Sequence, residues 1–409
     1  MNLGPRTSGP RASDSFGKEP LVTTQDTIAQ YSKYVIANYA RIPAVIVRGE
    51  GSYVWDQDGK RYLDMFPGWG VNALGHCHPG VVQAIREQAG RLLHVPNNYY
   101  NELQGRLAQM ISERSFGGQC FFCNSGAEAV EAAIKLARIY SAPRYKIITM
   151  LDSFHGRTSM AMAATGQPKY HKGLPPVDLG FTFVPFNDIA AVEKAIDEQT
   201  CAVMVEPIQG EGGVNVPAEG YLDALRALCD KHRLLLIFDE VTTGSGRTGK
   251  YYGYQHFGVE PDIMTLAKAM GGGLAVGGIE ARPHIAEKLV PGTHASTFGG
   301  NPIACAGAIA LLEIIDRENL LENSIRTGEL LKKKLRDLQP KFGIIADVRG
   351  KGSLIGVELK ESGTEFVKRC MQAGLLLNCT HDKVIRFYPA LNVKEEQIDE
   401  CVEIARKCL

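Results

Sequence analysis

Two apolar runs near the middle of the chain end in groups that can do chemistry. Leu234-Leu235-Leu236-Ile237-Phe238 leads into two acids, Asp239 and Glu240, and then a glycine-punctuated turn, Thr243-Gly244-Ser245-Gly246-Arg247-Thr248-Gly249. A second run, Ile263-Met264-Thr265-Leu266-Ala267, follows Pro261-Asp262 and ends at Lys268, just before Gly271-Gly272-Gly273. An apolar run of strand length closed by a carboxylate reads as a strand buried on both faces, with its acid at the carboxyl end. In open α/β sheets ligands bind at that end, and a lysine closing a second such strand faces the same crevice. An acid and an amine in one pocket suit a cofactor with a basic ring nitrogen and an aldehyde. Pyridoxal phosphate has both, and needs a Schiff-base lysine and an acidic partner for its ring nitrogen.

Other stretches carry weaker signals. Asn124-Ser125-Gly126-Ala127-Glu128-Ala129 lies between a strand and a helix. Small residues there let the backbone approach an anion at a helix N-terminus, although an ordinary capping serine with a turn glycine reads equally well. Phe154, in Asp152-Ser153-Phe154-His155-Gly156-Arg157, is an aromatic that can stack on a ring. Glu206 and Glu211 stand among glycines after an apolar run, and Ser296-Thr297 lies in a glycine-rich turn before a helix.

Around these residues strands and helices alternate. Gln119–Cys123, Lys146–Met150, Phe181–Val184 and Ala202–Glu206 read as strands, and Ala127–Tyr140 and Leu222–Cys229 as helices. That rhythm predicts a mostly parallel sheet with helices on both faces. A helix around Thr27–Ala37 and a hairpin over 53–64 precede it, and a helical period runs from Val81 to Leu93. Long helices follow at Pro302–Ile315 and Ser324–Leu338. After Gly350, short strands (Leu354–Leu359, Leu375–Leu377, Val384–Tyr388) and two helices (Thr364–Ala373, Glu395–Leu409) read as a smaller α+β domain. The expected division is a disordered 1–20, a segment 21–65, a large domain 66–315 and a small one 316–409.

Composition excludes several classes. The chain has 409 residues, 44% of them hydrophobic, which suits two domains. Lys+Arg and Asp+Glu both number 45, so no global field favours nucleic acid or an acidic membrane. No apolar run approaches ~18 residues, so no spanning helix is expected. Ten scattered cysteines suit a reducing compartment, and a cytoplasmic location is expected. Cys120 and Cys123 have zinc-like spacing without a second pair, and His76 and His78 sit in turn chemistry, so no metal is expected.

The string from Phe238 to Gly249, with Pro261-Asp262 and Ala267-Lys268, resembles the signature of the class III aminotransferases that use pyridoxal phosphate. The resemblance covers roughly residue 25 onward. It implies a fold-type I architecture, with 21–65 packing on the small domain. It implies that Lys268 forms the Schiff base and that Asp239 holds the ring nitrogen. Ser125, Gly126 and Ala127 then bind the phosphate, Phe154 and Val241 cover the ring faces, and Glu206 lies near the cofactor. Thr242 stands where relatives carry glutamine, so a shorter hydroxyl must serve the phenolic oxygen. Val130 also departs from the usual asparagine. Thr297 reaches the cofactor phosphate of a neighbouring subunit, which implies a homodimer with shared sites, and Ser296 lies near substrate. Arg157 binds a substrate carboxylate, Glu211 pairs with Arg386, and Trp69 shapes the donor pocket. Gly70–His76, Thr165–Tyr170 and Leu376–Cys379 are most similar to acetylornithine aminotransferases, with 2-oxoglutarate as acceptor. Ornithine, succinyldiaminopimelate, 4-aminobutyrate and other ω-amine donors remain alternatives. A nucleotide-binding module on the Ser125 loop is the non-enzyme alternative, but no GxxxxGK[ST] loop supports it.

Overall fold

The structure, a computed structural model, describes residues 22–173 and 179–409. The expected disorder of 1–20 lies outside the described residues. The described residues up to Arg48, with Trp55–Arg61, form one compact unit; Gly49–Val54 with Tyr62–Leu409 form another. In the first unit a helix runs Thr24–Tyr34, not Thr27–Ala37. Thr23 starts it early through a capping box: its hydroxyl accepts from the Asp26 N–H at 3.1 Å while Asp26 accepts from the Thr23 N–H at 2.9 Å.

The second unit is built on a seven-stranded sheet. Its spatial order is Gln119–Cys123, Gly277–Ala281, Ile263–Leu266, Leu235–Asp239, Thr200–Val205, Lys146–Met150, Phe181–Val184. The last five pair in parallel. Gly277–Ala281 runs antiparallel to both of its neighbours. The apolar run at 234–238 is continuous because alternate residues enter different cores. Leu236 and Phe238 join Met264 and Leu266 on one face, and Leu235 and Ile237 join Ile263 on the other. Helix Tyr221–His232 covers the first face with Leu222 and Leu225; helix Gly126–Ser141 covers the second with Ala133 and Ile134. Each fully buried Leu, Ile or Phe contributes about 1.5–3 kcal/mol. The register sets Asp239 opposite Thr265 at the carboxyl ends of two adjacent parallel strands.

Beyond residue 316 a four-stranded antiparallel sheet runs Ile345–Lys351, Leu354–Leu359, Val384–Phe387, Asn378–Thr380. Ile355, Ile385 and Phe387 pack on Leu331 and Leu335 of helix Leu320–Arg336 and on Ile398 of helix Glu395–Cys408. Leu63 and Met65 share that core, and Leu63 pairs with Leu375 in a parallel register.

Several elements go beyond the sequence reading, among them helix Glu102–Ser112 and strands Gly277–Ala281 and Ile345–Lys351. Gly277-Gly278 is a poor strand opening by propensity. The glycine is required by closeness, since a Cβ at Gly278 would meet the Phe121 carbonyl oxygen at 2.6 Å. The helix expected to reach Leu93 ends at Ala89, capped by Gly90, and Leu92 and Leu93 are exposed. Among the described residues no helix is long and apolar enough to cross a membrane.

Candidate active site

A cavity of about 420 Å³ opens at the carboxyl ends of the parallel strands. Eight of the residues singled out in the sequence line it: Ser125, Gly126, Ala127, Phe154, Arg157, Asp239, Val241 and Lys268. The strand-end carboxylate and the strand-end amine therefore face one space. Glu240 does not share it. Its carboxylate turns away to accept from the Gly253 and Tyr254 N–H groups at 2.8 and 2.7 Å.

Asp239 is held by three donors. His155 Nδ1 lies 2.6 Å from Oδ2, and the Thr265 hydroxyl and Val241 N–H reach Oδ1 at 2.8 and 3.1 Å. Burial depresses the His155 imidazole, but the hydrogen bond and charge of Asp239, with Glu206 beyond, outweigh it and the net shift is upward. His155 Nε2 is buried and has no partner. Neither His155 nor Thr265 was singled out from the sequence. Thr265 had a signal: it is the polar residue in the otherwise apolar Ile263–Leu266.

Lys268 sits two residues beyond the end of the Ile263–Leu266 strand with φ +46°. That left-handed backbone costs on the order of 1–3 kcal/mol for a residue with a side chain, so packing holds it in place. Its Nζ donates to Thr242 Oγ1 at 2.6 Å. Burial lowers the amine below the ordinary lysine range; Glu211, Asp239 and Glu206 oppose that, and Arg386 reinforces it. A depressed amine carries more of the free base that a nucleophile needs.

The opposite end of the cavity is a helix start. Ser125 caps Gly126–Ser141 by accepting from the Glu128 N–H at 3.2 Å. The first N–H groups of a helix have no intrahelical acceptor, so the Gly126 end offers donors to an anion. Gly126 cannot be larger: a Cβ would meet Val241 Cγ1 at 2.9 Å. Anion donors, an aromatic and a valine along the walls, an anchored carboxylate and a free amine together fit pyridoxal phosphate.

Of the predicted substrate residues Arg157 lines the cavity and Arg386, Glu211, Trp69 and Ser296 do not, nor does Thr297. Arg157 is exposed, with its guanidinium 3.9 Å from the Tyr170 ring centroid. Arg386 is 1% exposed and pairs with Glu211 through Nη1 at 2.7 Å. Its Nε donates to Asn378 Oδ1 at 2.8 Å, and the Phe66 and Trp69 ring centroids lie 4.8 and 5.7 Å from its guanidinium carbon. Trp69 has φ +62° and is exposed. Ser296 Oγ accepts from Asn124 Nδ2 at 3.2 Å, and Thr297 is exposed and does not line the cavity. Among the described residues no metal-ligating cluster occurs.

Glu206 accepts from the Phe154 and Gly210 N–H groups, both at 3.1 Å. Burial nonetheless pushes its carboxyl up from 4.5 to about 7, with Asp239 adding and His155 opposing. A raised carboxyl favours the folded state below pH 4.5, and that contribution is lost as pH rises through 7. Its size is about 3 kcal/mol at 1.36 kcal/mol per pKa unit. In cofactor-free protein, Glu206→Gln is therefore expected to remove about that much of the stability difference between pH 5 and pH 8. Urea unfolding at the two pH values checks it, and any slope left in the variant belongs to other groups such as His155.

The family model for aminotransferase class-III matches residues 34–409. An acetylornithine aminotransferase of Caldanaerobacter subterraneus subsp. tengcongensis is 51% identical, over 92% of this chain and 97% of the relative. One from Methanocaldococcus jannaschii is 48% identical over 90% and 94%. Among solved structures, an ornithine aminotransferase of Toxoplasma gondii, described with partial occupancy of PLP at its active site, has TM-score 0.91 at 35% identity over 95% of this chain and 94% of that one. An acetylornithine aminotransferase of Elizabethkingia anophelis has TM-score 0.84 at 37% identity over 94% and 98%. With the anchored carboxylate and the strand-end lysine facing one cavity, a match over nearly the whole described chain makes this a member of the class III aminotransferases.

Proposed function

We propose that this enzyme moves the terminal amine of N2-acetylornithine to 2-oxoglutarate. The observation that carries the reading is the Asp239–Lys268 cavity in a chain whose curated relatives carry that activity in their names. Bound pyridoxal 5′-phosphate supplies an aldehyde that exchanges amines and a ring that accepts electron density from a breaking Cα–H bond.

The chain's own residues do the rest. Asp239 keeps a proton on the ring nitrogen, and His155 and Thr265 orient it. Ser125, Gly126 and Ala127 would hold the phosphate, and Phe154 and Val241 would cover the two faces of the ring. Glu206 lies beside the cofactor. Lys268 would hold the cofactor at rest, and its amine, once released by the substrate amine, would take the proton from substrate Cα and deliver it to the cofactor's aldehyde carbon. Arg157 holds the carboxylate far from the reacting carbon. Arg386 holds the near carboxylate of 2-oxoglutarate, and Glu211 covers Arg386 when the donor has none there. Trp69, beside Arg386, shapes the donor pocket. Thr297, exposed on its own chain, completes the phosphate site of a second copy, while Ser296 stays near substrate; the reading is a homodimer with shared sites. We place the large and small domains at 66–315 and 316–409, and the reaction in the cytoplasm, in keeping with ten free cysteines.

An amine-donor panel with 2-oxoglutarate tests the assignment. N2-acetylornithine is expected to exceed ornithine, succinyldiaminopimelate and 4-aminobutyrate in kcat/KM by at least about tenfold. Preference for ornithine would favour the second reading, ornithine aminotransferase, the activity named for the solved structure with the higher TM-score of the two reported above.

The two substrates differ in one carboxylate, which makes a sharper test. Burial pushes Glu211 up, but Arg386 outweighs it and the net shift is downward, so the pair is ionic. A buried arginine left without its acid is costly. Glu211→Gln is expected to slow the acetylornithine half-reaction about tenfold while sparing the glutamate half-reaction. Arg386→Ala is expected to do the reverse by about 100-fold, the scale of a truncated buried charge pair. Single-turnover absorbance of each half-reaction decides it, and equal losses in both halves would remove the switch.

A further inference from the structure

Position 242 departs from the pattern of the family, and its hydroxyl meets the strand-end lysine. The hydroxyl of Thr242 lies 2.6 Å from Lys268 Nζ. Its methyl is packed into space that exists because residue 210 is glycine: a Cβ there would meet Thr242 Cγ2 at 2.5 Å and Cβ at 3.1 Å. Threonine is stiff at χ1, so a methyl fixed against Gly210 also fixes where the hydroxyl points. Gly210 is itself tied by its N–H to Glu206 at 3.1 Å. Lys268 is strained at its backbone, its side chain is partly buried, and among the described residues this hydroxyl is the only hydrogen-bond acceptor of its amine. A partly buried amine has few ways to satisfy its hydrogens. A hydroxyl both accepts and donates, so it can pair the amine whether charged or neutral.

We propose that Thr242 is a positioning residue that parks the Lys268 amine whenever it is free. This rests on the reading of Lys268 as the cofactor lysine. The amine is free in the cofactor-free protein and again after each exchange with a substrate amine, so its parking place serves both half-reactions equally.

The test uses Thr242→Val, which keeps the shape and removes the hydroxyl, and Thr242→Ser, which keeps the hydroxyl. The first readout is the second-order rate at which apoprotein, prepared from holoenzyme, captures added pyridoxal phosphate. The second is single-turnover kcat and KM of each half-reaction. For Thr242→Val, capture is expected to slow about tenfold, the scale of one lost hydrogen bond to a partly buried amine. Both half-reactions should slow by a similar factor with KM within about twofold. Thr242→Ser should stay within about twofold of the parent throughout. Unchanged capture in Thr242→Val overturns the proposal. A loss confined to one half-reaction also overturns it, since that would mark a substrate contact. A serine variant as slow as the valine variant would overturn it too, by assigning the effect to the methyl packed on Gly210. Borohydride reduction and peptide mapping of the parent distinguish the underlying reading: label on a lysine other than Lys268 removes that reading and this one with it.

Discussion

Lys268→Ala is expected to abolish transamination, with a loss of at least about 10⁴-fold in both half-reactions, the upper range for a positioned acid–base group. Three observations make the loss specific. Lys268 lies just beyond a strand end and faces the cavity that holds Asp239. Burial lowers its amine, which suits a base and nucleophile. Its backbone is left-handed at φ +46°, a conformation that only a strongly determined position tolerates. Alanine has no amine to bind the cofactor or to carry the proton, yet it leaves the phosphate donors at the Gly126 helix end and the Asp239 anchor in place. The variant should therefore bind cofactor without a covalent link to protein. Reduction of the parent with borohydride, followed by peptide mapping, should put the label on Lys268, and dialysis should strip cofactor from the variant faster than from the parent. Label on another lysine, or near-normal turnover in the variant, would remove Lys268 from the role.

The parts of this site that were legible in the sequence share one physical feature: they lie where a buried strand stops. A run such as Leu234–Phe238 has no polar face because both of its faces are covered, so its first acid marks the carboxyl end and the crevice. The same holds for Lys268 after Ile263–Leu266. The helix start at Gly126 was legible because capping serine and small residues carry a local signal. What stayed hidden depends on register. His155 meets Asp239 across 84 positions of sequence, and only the side-by-side placement of separate strands brings them together. Asn378 meets Arg386 because the strands Asn378–Thr380 and Val384–Phe387 set these two residues opposite each other. The strand Gly277–Ala281 was invisible for a related reason. Its glycines are chosen by the closeness of Ser125 and Phe121, not by strand propensity. Of the two adjacent acids, the family resemblance singles out Asp239, and the structure supplies the physical reason. Strand alternation sends their side chains to opposite directions, and two backbone N–H groups claim Glu240.

That separation bears on the second large effect. Asp239→Asn is expected to lower turnover about 10³-fold while cofactor remains bound. The substitution is close to isosteric, so the question is whether its hydrogen bonds survive. Thr265 Oγ1 and the Val241 N–H donate to Oδ1, which the amide oxygen of asparagine can replace. The amide nitrogen then faces His155 Nδ1, 2.6 Å from the present Oδ2. Two donors would clash there, but His155 can move its proton to Nε2, which now has no partner, and accept at Nδ1 instead. The geometry is preserved and only the charge is lost. Without it the ring nitrogen loses the anion that holds its proton, and the ring is a poorer acceptor of electron density. Removing one member of a buried charge pair costs about 3–5 kcal/mol, and at 1.36 kcal/mol per decade that is roughly a thousandfold in rate. Two measurements separate charge from structure. Urea unfolding of the cofactor-free variant should stay near the parent, because the hydrogen bonds are remade. A cofactor analogue methylated on the ring nitrogen, and so permanently cationic, should recover a large share of the half-reaction rate in the variant. Near-normal turnover of Asp239→Asn with ordinary cofactor would take Asp239 out of the role, and failure of the cationic analogue to help would assign the loss to displaced geometry around His155.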